Sequence, residues 1–344
     1  YHGLKEGSPE LKSAGALAFG PDGVLFVGDA RQAAVFAIDT QDTSGDPSGA
    51  KFDMEAINSE IASMLGVTSR DVSINDLAVN PASGNIYLSV SRGRGPEAKA
   101  VLLRVDKEGK IGEVSLKKVA FAKAELPNPP ADAVTGQGRR RRNNRTQSIT
   151  DLKYADGRVI VAGLSNEEFA SNLRAIPFPF KDADKGTSVE IFHGAHGQFE
   201  TRSPVRTFTT YDIGDEPYLL AAYTCTPLVK FRLSDLKAGK KVRGTTIAEL
   251  GNRNNPLDIV VYKKDGKDYL LIANTARGVM KVTTDDISTI DGIEERISGT
   301  AGLSYDTIED LKGVIQLDRL NDQHAVLLVR DDSGSANLKT IALP

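Results

Sequence analysis

This 344-residue sequence predicts an all-β fold, a β-propeller of six four-stranded blades, and three observations carry that reading. The first is a recurring unit. Ile74–Arg92 reads INDLAVNPASGNIYLSVSR, and variants of it begin at Ala14 (AGALAFGPDGVLFVGDAR), Ile149 (ITDLKYADGRVIVAGLSN) and Pro256 (PLDIVVYKKDGKDYLLIANT). A supersecondary unit returning at intervals of tens of residues marks a repeat architecture. The second is the turn chemistry inside each unit, where PDG, PASG, ADG and KKDG separate two short apolar runs of period two. Proline presets φ, and glycine accepts the positive φ that a tight turn needs. The third is where the glycines fall. They follow strands rather than open helices, and neither GxGxxG nor GxxxxGK[ST] occurs, which disfavours a nucleotide-binding α/β fold.

Taken in order, residues 1–13 form a polar lead-in that could add a strand to the last repeat and close a ring. The first repeat follows as Leu17/Phe19, Val24–Val27 and Ala34–Ile38. Thr40–Ala50 is a Gly/Ser/Asp loop, and Ile57, Ile61 and Leu65 have the four-residue spacing of a short amphipathic helix. The second repeat starts at Ile74, with a third strand at Val101–Val105 and a fourth near Val114–Ala120. Glu125–Thr146 has no periodicity and many Pro, Gly and charged residues, so it reads as a long exposed loop. The third repeat begins at Ile149 and ends with Ser188–Phe192. The fourth is degenerate: Val205–Tyr211, Tyr218–Tyr223, Leu228–Leu233 and Thr245–Leu250. The fifth runs from Leu257 through Tyr269–Ile272 and Val279–Val282, and the sixth comprises Val314–Leu317, Ala325–Val329 and Leu338–Leu343. Six units average about 57 residues and seven would average about 49, both within the range of propeller blades. The spacing of Asp76, Asp151 and Asp258 favours six. The whole chain is expected to be one domain, with insertions at about residues 40–70 and 125–147.

Composition narrows the function classes. A net charge of −3 and an absence of aromatics beside the basic residues speak against nucleic acid, and no apolar run is long enough to span a bilayer. The lone Cys225 excludes an internal disulfide, a CxxCH haem site and paired-cysteine metal sites. The absence of tryptophan argues against a tryptophan-docking quinoprotein. No GxSxG elbow is present to support a Ser/His/Asp triad. The chain begins at Tyr1; the expectation is an extracytoplasmic protein, periplasmic or secreted, that has lost a leader, with a trimmed chain as the alternative.

Because blades meander, loops entering the innermost strands share a face with loops joining second to third strands. That face collects the polar residues: Asn75-Asp76, Asp151 and Asp258 at the inner-strand entries, and Asp29, Ser91-Arg92, Asn166, Cys225, Asn274 and Asp331 at the second-strand exits. The opposite face receives plain turns. Loops on a rigid scaffold are where binding concentrates. Asp76, Asp151 and Asp258, with Asn75, Asn166 and Asn274 near them, offer the hard oxygens that Ca²⁺ takes. Equally, an Asp at a repeat position can lock its blade by bonding backbone. His193 and His196, in FHGAHGQFE, suit a transition metal or acid/base work, with Glu200 to complete the set; two solvent-facing imidazoles are the plainer expectation. Cys225 reads as a buried small hydrophobe, or as a soft ligand or reactive thiol on the site face. Arg139, Arg140, Arg141 and Arg142 with Arg145 form a cationic loop, joined by Arg92, for an anionic ligand or an acidic protein partner; a solvated loop reads equally well.

The repeat rhythm is similar to that of NHL- and YVTN-type propellers, which implies binding or scaffolding. Asn75-Asp76 in SINDLAVNPASGNIYLS also resembles the calcium-ligand segment of the paraoxonase and gluconolactonase-like propellers, and Asn274 in LLIANTARGVMKV is similar to a second-strand end there. That resemblance implies Ca²⁺ as cofactor and a lactonase- or esterase-type hydrolysis with the cation polarising a carbonyl. No histidine stands beside either segment, whereas the paraoxonase group places histidines near its metal. The expectation is therefore a propeller binding a small or anionic ligand, with a cation at the channel mouth. A calcium-dependent hydrolase and a protein-interaction scaffold are the alternatives.

Overall fold

The computed structural model describes residues 1–344 and is a six-bladed β-propeller. Blades are numbered here by the order in which the chain starts them. Blade 1 holds Leu17–Phe19, Val24–Asp29, Ala34–Asp39 and Val119–Glu125, with Lys5–Gly7 added outside. Blade 2 holds Val72–Val79, Ile86–Arg92, Lys99–Val105 and Ile111–Glu113. Blade 3 holds Asp151–Ala155, Arg158–Leu164, Ser171–Pro177 and Thr187–His193, and blade 4 holds Thr207–Ile213, Glu216–Ala222, Pro227–Arg232 and Thr245–Glu249. Blade 5 comprises Pro256–Lys264, Lys267–Asn274, Val279–Thr283 and Tyr305–Thr307. Blade 6 takes Val314–Arg319, His324–Arg330 and Ala336–Ala342 from the end of the chain and Asp53–Met54 from near its start. No helix is long and apolar enough to cross a membrane.

The turns sit where alternation and turn residues place them, because each blade is a local antiparallel meander. Strand alternation sends one set of side chains toward each neighbouring blade, and the six apolar clusters of the core lie at the six boundaries. The composition of these clusters gives the ring order. Leu25, Val27 and Phe36 of blade 1 pack with Tyr87 and Leu102 of blade 2, whereas Phe26 and Val35 of the same blade pack with Leu152 and Val161 of blade 3. Leu88 and Leu103 of blade 2 pack with Val326 and Leu338 of blade 6. Around the axis the blades therefore run 2-1-3-4-5-6, and blade 6 closes onto blade 2.

Three strand assignments change as a result. Val119–Glu125 does not complete blade 2; it returns to pair with Ala34–Asp39, Phe121 opposite Ile38. Residues 1–13 do not close the ring on the last repeat, since Lys5–Gly7 pairs with that returning strand. The closing strand is Asp53–Met54 against Leu338 and Lys339, reinforced by Phe52 N–H donating to Thr340 Oγ1 at 2.8 Å and Thr340 N–H donating to Phe52 O at 2.9 Å. The expected helix is present at Ile57–Leu65, its Ile57 and Ile61 buried in the core shared by blades 2 and 6. Residues 125–147 are not wholly irregular, because Val134–Thr135 and Arg142–Asn143 pair as a small hairpin.

The innermost strands are laced by aspartates. Asp76 accepts from Leu17 N–H of blade 1 at 2.8 Å, Asp151 from Phe208 N–H of blade 4 at 3.0 Å, Asp258 from Leu317 N–H of blade 6 at 3.0 Å, and Asp318 from Val79 N–H of blade 2 at 2.8 Å. Asp76, Asp151 and Asp318 also accept from the N–H of the residue that follows each of them. Each carboxylate thus occupies backbone donors that strand pairing leaves over between blades. Four of the six boundaries are tied in this way. The pairs 1/3 and 4/5 are not.

Candidate functional site

Lys153, two residues after Asp151 and on the same strand face, stands among those aspartates. Burial alone would lower its pKa, but the charges of Asp151, Asp318, Asp258 and Asp76 outweigh it and hold the ammonium firmly protonated. The carboxyl pKa values rise as well, which for an acid favours the neutral form. Burial, and then the charge of Asp151, pushes Asp76 up to about 7. Asp258 is raised well above the usual carboxylate range by burial and by Asp76, and burial raises Asp151 and Asp318. The channel therefore holds a protein cation inside a partly protonated acidic ring.

This arrangement bears on the calcium expectation. Asp76, Asp151 and Asp258 do converge on the channel, but each gives an oxygen to a backbone N–H of a neighbouring blade, and Lys153 supplies positive charge among them. The three carboxylates do not bring donor atoms within 4.8 Å of one another. The asparagines are engaged elsewhere. Asn75 Nδ2 donates to Ala14 O and Ser91 Oγ, while buried Asn274 donates to Ile272 O and Gly278 O and accepts from Asn254. Asn166 lies away from them on the wall of a cleft. The repeat-position aspartates read best as locks between blades. The fourth lock, Asp318, escapes a reading that ends the inner strand of the sixth repeat at Leu317; it lies two residues beyond the repeat position, which Gln316 occupies after the bulge of that strand, so the repeat does not point to it.

A cleft of about 570 Å³ opens on the loop-rich face between blades 3 and 4 and the 130–147 segment. Arg142, Arg202 and Arg206 line it with Asn166, Ser203 and Thr224. Glu167 and Glu168 stand on its rim, and Glu167 accepts from Asn128 at 2.7 Å. Arg206 is the most enclosed of the three guanidiniums. Its one hydrogen bond goes to Thr224 Oγ1 at 3.2 Å, it forms no ion pair, and burial lowers its pKa with no charged partner to oppose the shift.

Of the other cations, Arg139, Arg140 and Arg141 are exposed beyond the Val134–Thr135/Arg142–Asn143 hairpin. Arg145 is instead a structural tie, donating to Pro130 O at 2.7 Å and Arg31 O at 3.2 Å. Arg92 donates to Leu65 O at 3.0 Å, away from the cleft.

Beside the cleft lies a second cluster. His193 ends the outer strand of blade 3, and the chain turns through Gly194–Gly197 into Gln198–Glu200, with Ile191 opposite Glu200. Gly197 has φ +66° and donates its N–H to His193 O at 2.8 Å, a position that favours glycine. Gly194 donates its N–H to the buried Glu249 carboxylate of blade 4, and a Cβ there would sit 2.8 Å from Glu249 Oε1. Glu200 then takes both imidazoles, His193 Nδ1 at 3.1 Å on Oε2 and His196 Nδ1 on Oε1. Burial would raise the Glu200 pKa, but these two hydrogen bonds and the imidazole charges prevail and hold it at about 2.

The expected pair of solvent-facing imidazoles is thus half right. His196 is 50% exposed, whereas His193 is 3% exposed and its Nε2 has no partner. Across the blade boundary, Cys225 occupies the turn between the second and third strands of blade 4. His193, His196 and Cys225 are the only His, Cys, Asp or Glu trio whose donor atoms all lie within 4.8 Å. Cleft and cluster share a wall, since Ser203 bonds Glu200 at 3.4 Å and Thr224 precedes Cys225.

No protein-family model matches the chain, and no curated protein matches it in sequence. Among solved structures it is similar to a putative oxidoreductase (glucose dehydrogenase) from Thermus thermophilus, with 11% identity over 98% of this chain and 100% of that one and a TM-score of 0.39. It is also similar to the PQQ-bound form of an aldose sugar dehydrogenase from Streptomyces coelicolor, with 10% identity over 98% and 96% of the two chains and a TM-score of 0.33.

Proposed function

We propose that this propeller binds a small anionic ligand, bearing a carboxylate or phosphate group, in the cleft between blades 3 and 4. The observation that carries the reading is Arg206, a partly buried guanidinium with no carboxylate partner. Withdrawing a fixed cation from water is unfavourable unless an opposite charge meets it, and the planar guanidinium fork matches carboxylate and phosphate oxygens in pairs. Arg142 and Arg202 add positive charge at the rim, where it steers an anion inward. Asn166, Ser203 and Thr224 supply neutral polar groups for orientation. This reading calls on no calcium ion: the channel aspartates each bond a backbone N–H of a neighbouring blade and share Lys153 as their cation.

The test is a thermal-shift and calorimetric screen of phosphate, sulfate, small di- and tricarboxylates and sugar phosphates. A ligand at about 100 times its Kd stabilises the fold by about 2.7 kcal/mol. Arg206→Ala should abolish the response, while Arg206→Lys, a cation without the fork, should retain a weakened one. A panel without any stabilising anion, or an Arg206→Ala protein that responds like the parent, refutes the proposal.

A further inference from the structure

We infer that His193, His196 and Cys225 form a binding site for a zinc-class transition ion, with Glu200 as the residue that orients both imidazoles. The inference does not rest on the anion reading of the neighbouring cleft. It starts from donor chemistry: two imidazoles and one thiol, drawn from two blades, bring ligand atoms within 4.8 Å of one another. Around a tetrahedral ion with bonds of roughly 2.0–2.3 Å the donors stand roughly 3.3–3.8 Å apart, so donors already within 4.8 Å of one another need only small side-chain adjustments to meet an ion. A borderline-soft ion suits a mixed nitrogen and sulfur set, whereas calcium and magnesium do not.

Three further observations point to a ligand. Both imidazoles spend Nδ1 on the same Glu200 carboxylate, which fixes the ring orientations and leaves each Nε2 as the available donor. A carboxylate on the far ring nitrogen is the outer support that metal-bound histidines usually have. Next, His193 Nε2 is buried and unpartnered, one of five buried side-chain polar atoms without a hydrogen bond and the only one of the five on a metal-ligating side chain. An orphan of this kind needs a partner that the protein alone does not provide. Finally, Cys225 has φ +64° and Thr226 has φ +52°, consecutive left-handed residues at a tight turn that Asn and Gly ordinarily fill. The turn is held from outside, by Cys225 N–H on Asn254 O at 2.6 Å and Thr226 Oγ1–H on Gly251 O at 2.6 Å. Strain retained by external bonds is characteristic of functional positions.

The three ligands leave a tetrahedral ion one open position, and half-exposed His196 gives ions a way in from solvent. Binding releases protons: the Cys225 thiol gives H⁺ to solvent as its thiolate bonds the ion, and an imidazole that carries both ring protons gives up the one on Nε2 before that nitrogen can ligate.

The test uses the full-length protein after chelator treatment and desalting. Titration with Zn²⁺ in a calorimeter should give one ion per chain with release of at least one proton. Titration with Co²⁺ should give a near-ultraviolet thiolate-to-cobalt charge-transfer band, which is lost in Cys225→Ser. His196→Ala, at an exposed position, should weaken Zn²⁺ binding without unfolding the chain, and Glu200→Gln should weaken it by about 10–100-fold. Bound Zn²⁺ should also protect Cys225 from alkylation. A Co²⁺ complex without the thiolate band overturns the site, as does unchanged Zn²⁺ affinity in folded Cys225→Ser or His196→Ala. Neither result bears on anion binding by Arg206.

Discussion

Lys153→Met removes the single cation from a ring of four aspartates while keeping an apolar stem of similar length. Removing one partner of a buried charge set costs about 3–5 kcal/mol, because the charges left behind are uncompensated. For a chain of this length the unfolding entropy is about 0.7 kcal/mol per degree, so Tm should fall by about 4–7 °C near pH 8. The pH dependence is the sharper part. Asp76 titrates near 7 in the folded state against about 3.9 in an unfolded chain. A carboxyl raised in this way stabilises the fold by holding a proton, fully below the unfolded value, and that contribution is lost as pH rises through about 7. Asp258 shifts in the same direction. Near pH 5 Asp76 holds its proton, fewer charges need the ammonium, and the variant's deficit should be clearly smaller than at pH 8. Scanning calorimetry of both proteins at the two pH values decides the matter. Equal deficits at pH 5 and pH 8 would show that Lys153 contributes by packing alone and would refute the charge-ring account.

Asp318→Ala strips the acceptor from Val79 N–H and Arg319 N–H, and denaturant melts should show a loss of about 2–4 kcal/mol. Ile61→Ala empties a fully buried position where the helix meets blades 2 and 6, and should cost about 2–5 kcal/mol with no effect on anion response at the distant cleft. Gly194→Ala pushes a methyl onto the Glu249 carboxylate, and a loss of about 1–3 kcal/mol should accompany weaker Zn²⁺ binding as the His193 turn shifts.

The strands that turn locally are legible in the sequence, and those that return from afar are not. Val24–Asp29 and Ile86–Arg92 alternate beside PDG and PASG turns, so they announce themselves. Asp53–Met54 is two residues long, too short to carry a period, and its role exists only through Leu338 and Lys339. Val119–Glu125 does read as a strand, but nothing in VAFAKAE says that its partner lies more than eighty residues back rather than next door. The site divides in the same manner. The HxxH spacing and the position of Cys225 at a second-strand exit are visible, whereas their meeting depends on blades 3 and 4 packing face to face. Lys153 looks like an ordinary polar alternation; its i+2 spacing from Asp151 becomes informative only once that face is known to line the axis. Arg206 carries no signal beyond its place at the start of an inner strand.

The chain's detour through blade 6 and back to blade 1 changes how the molecule should come apart. A protease cutting in the exposed 131–141 stretch would yield one piece holding blades 1 and 2 and another holding blades 3 to 6. The smaller piece would still thread Asp53–Met54 into the larger, so the nicked protein should co-migrate as a single particle until denaturant frees that clasp. During synthesis the same interlacing leaves blade 6 unfinished until residues 314–342 have been made, although its edge strand Asp53–Met54 precedes every other strand of that blade by more than 250 residues.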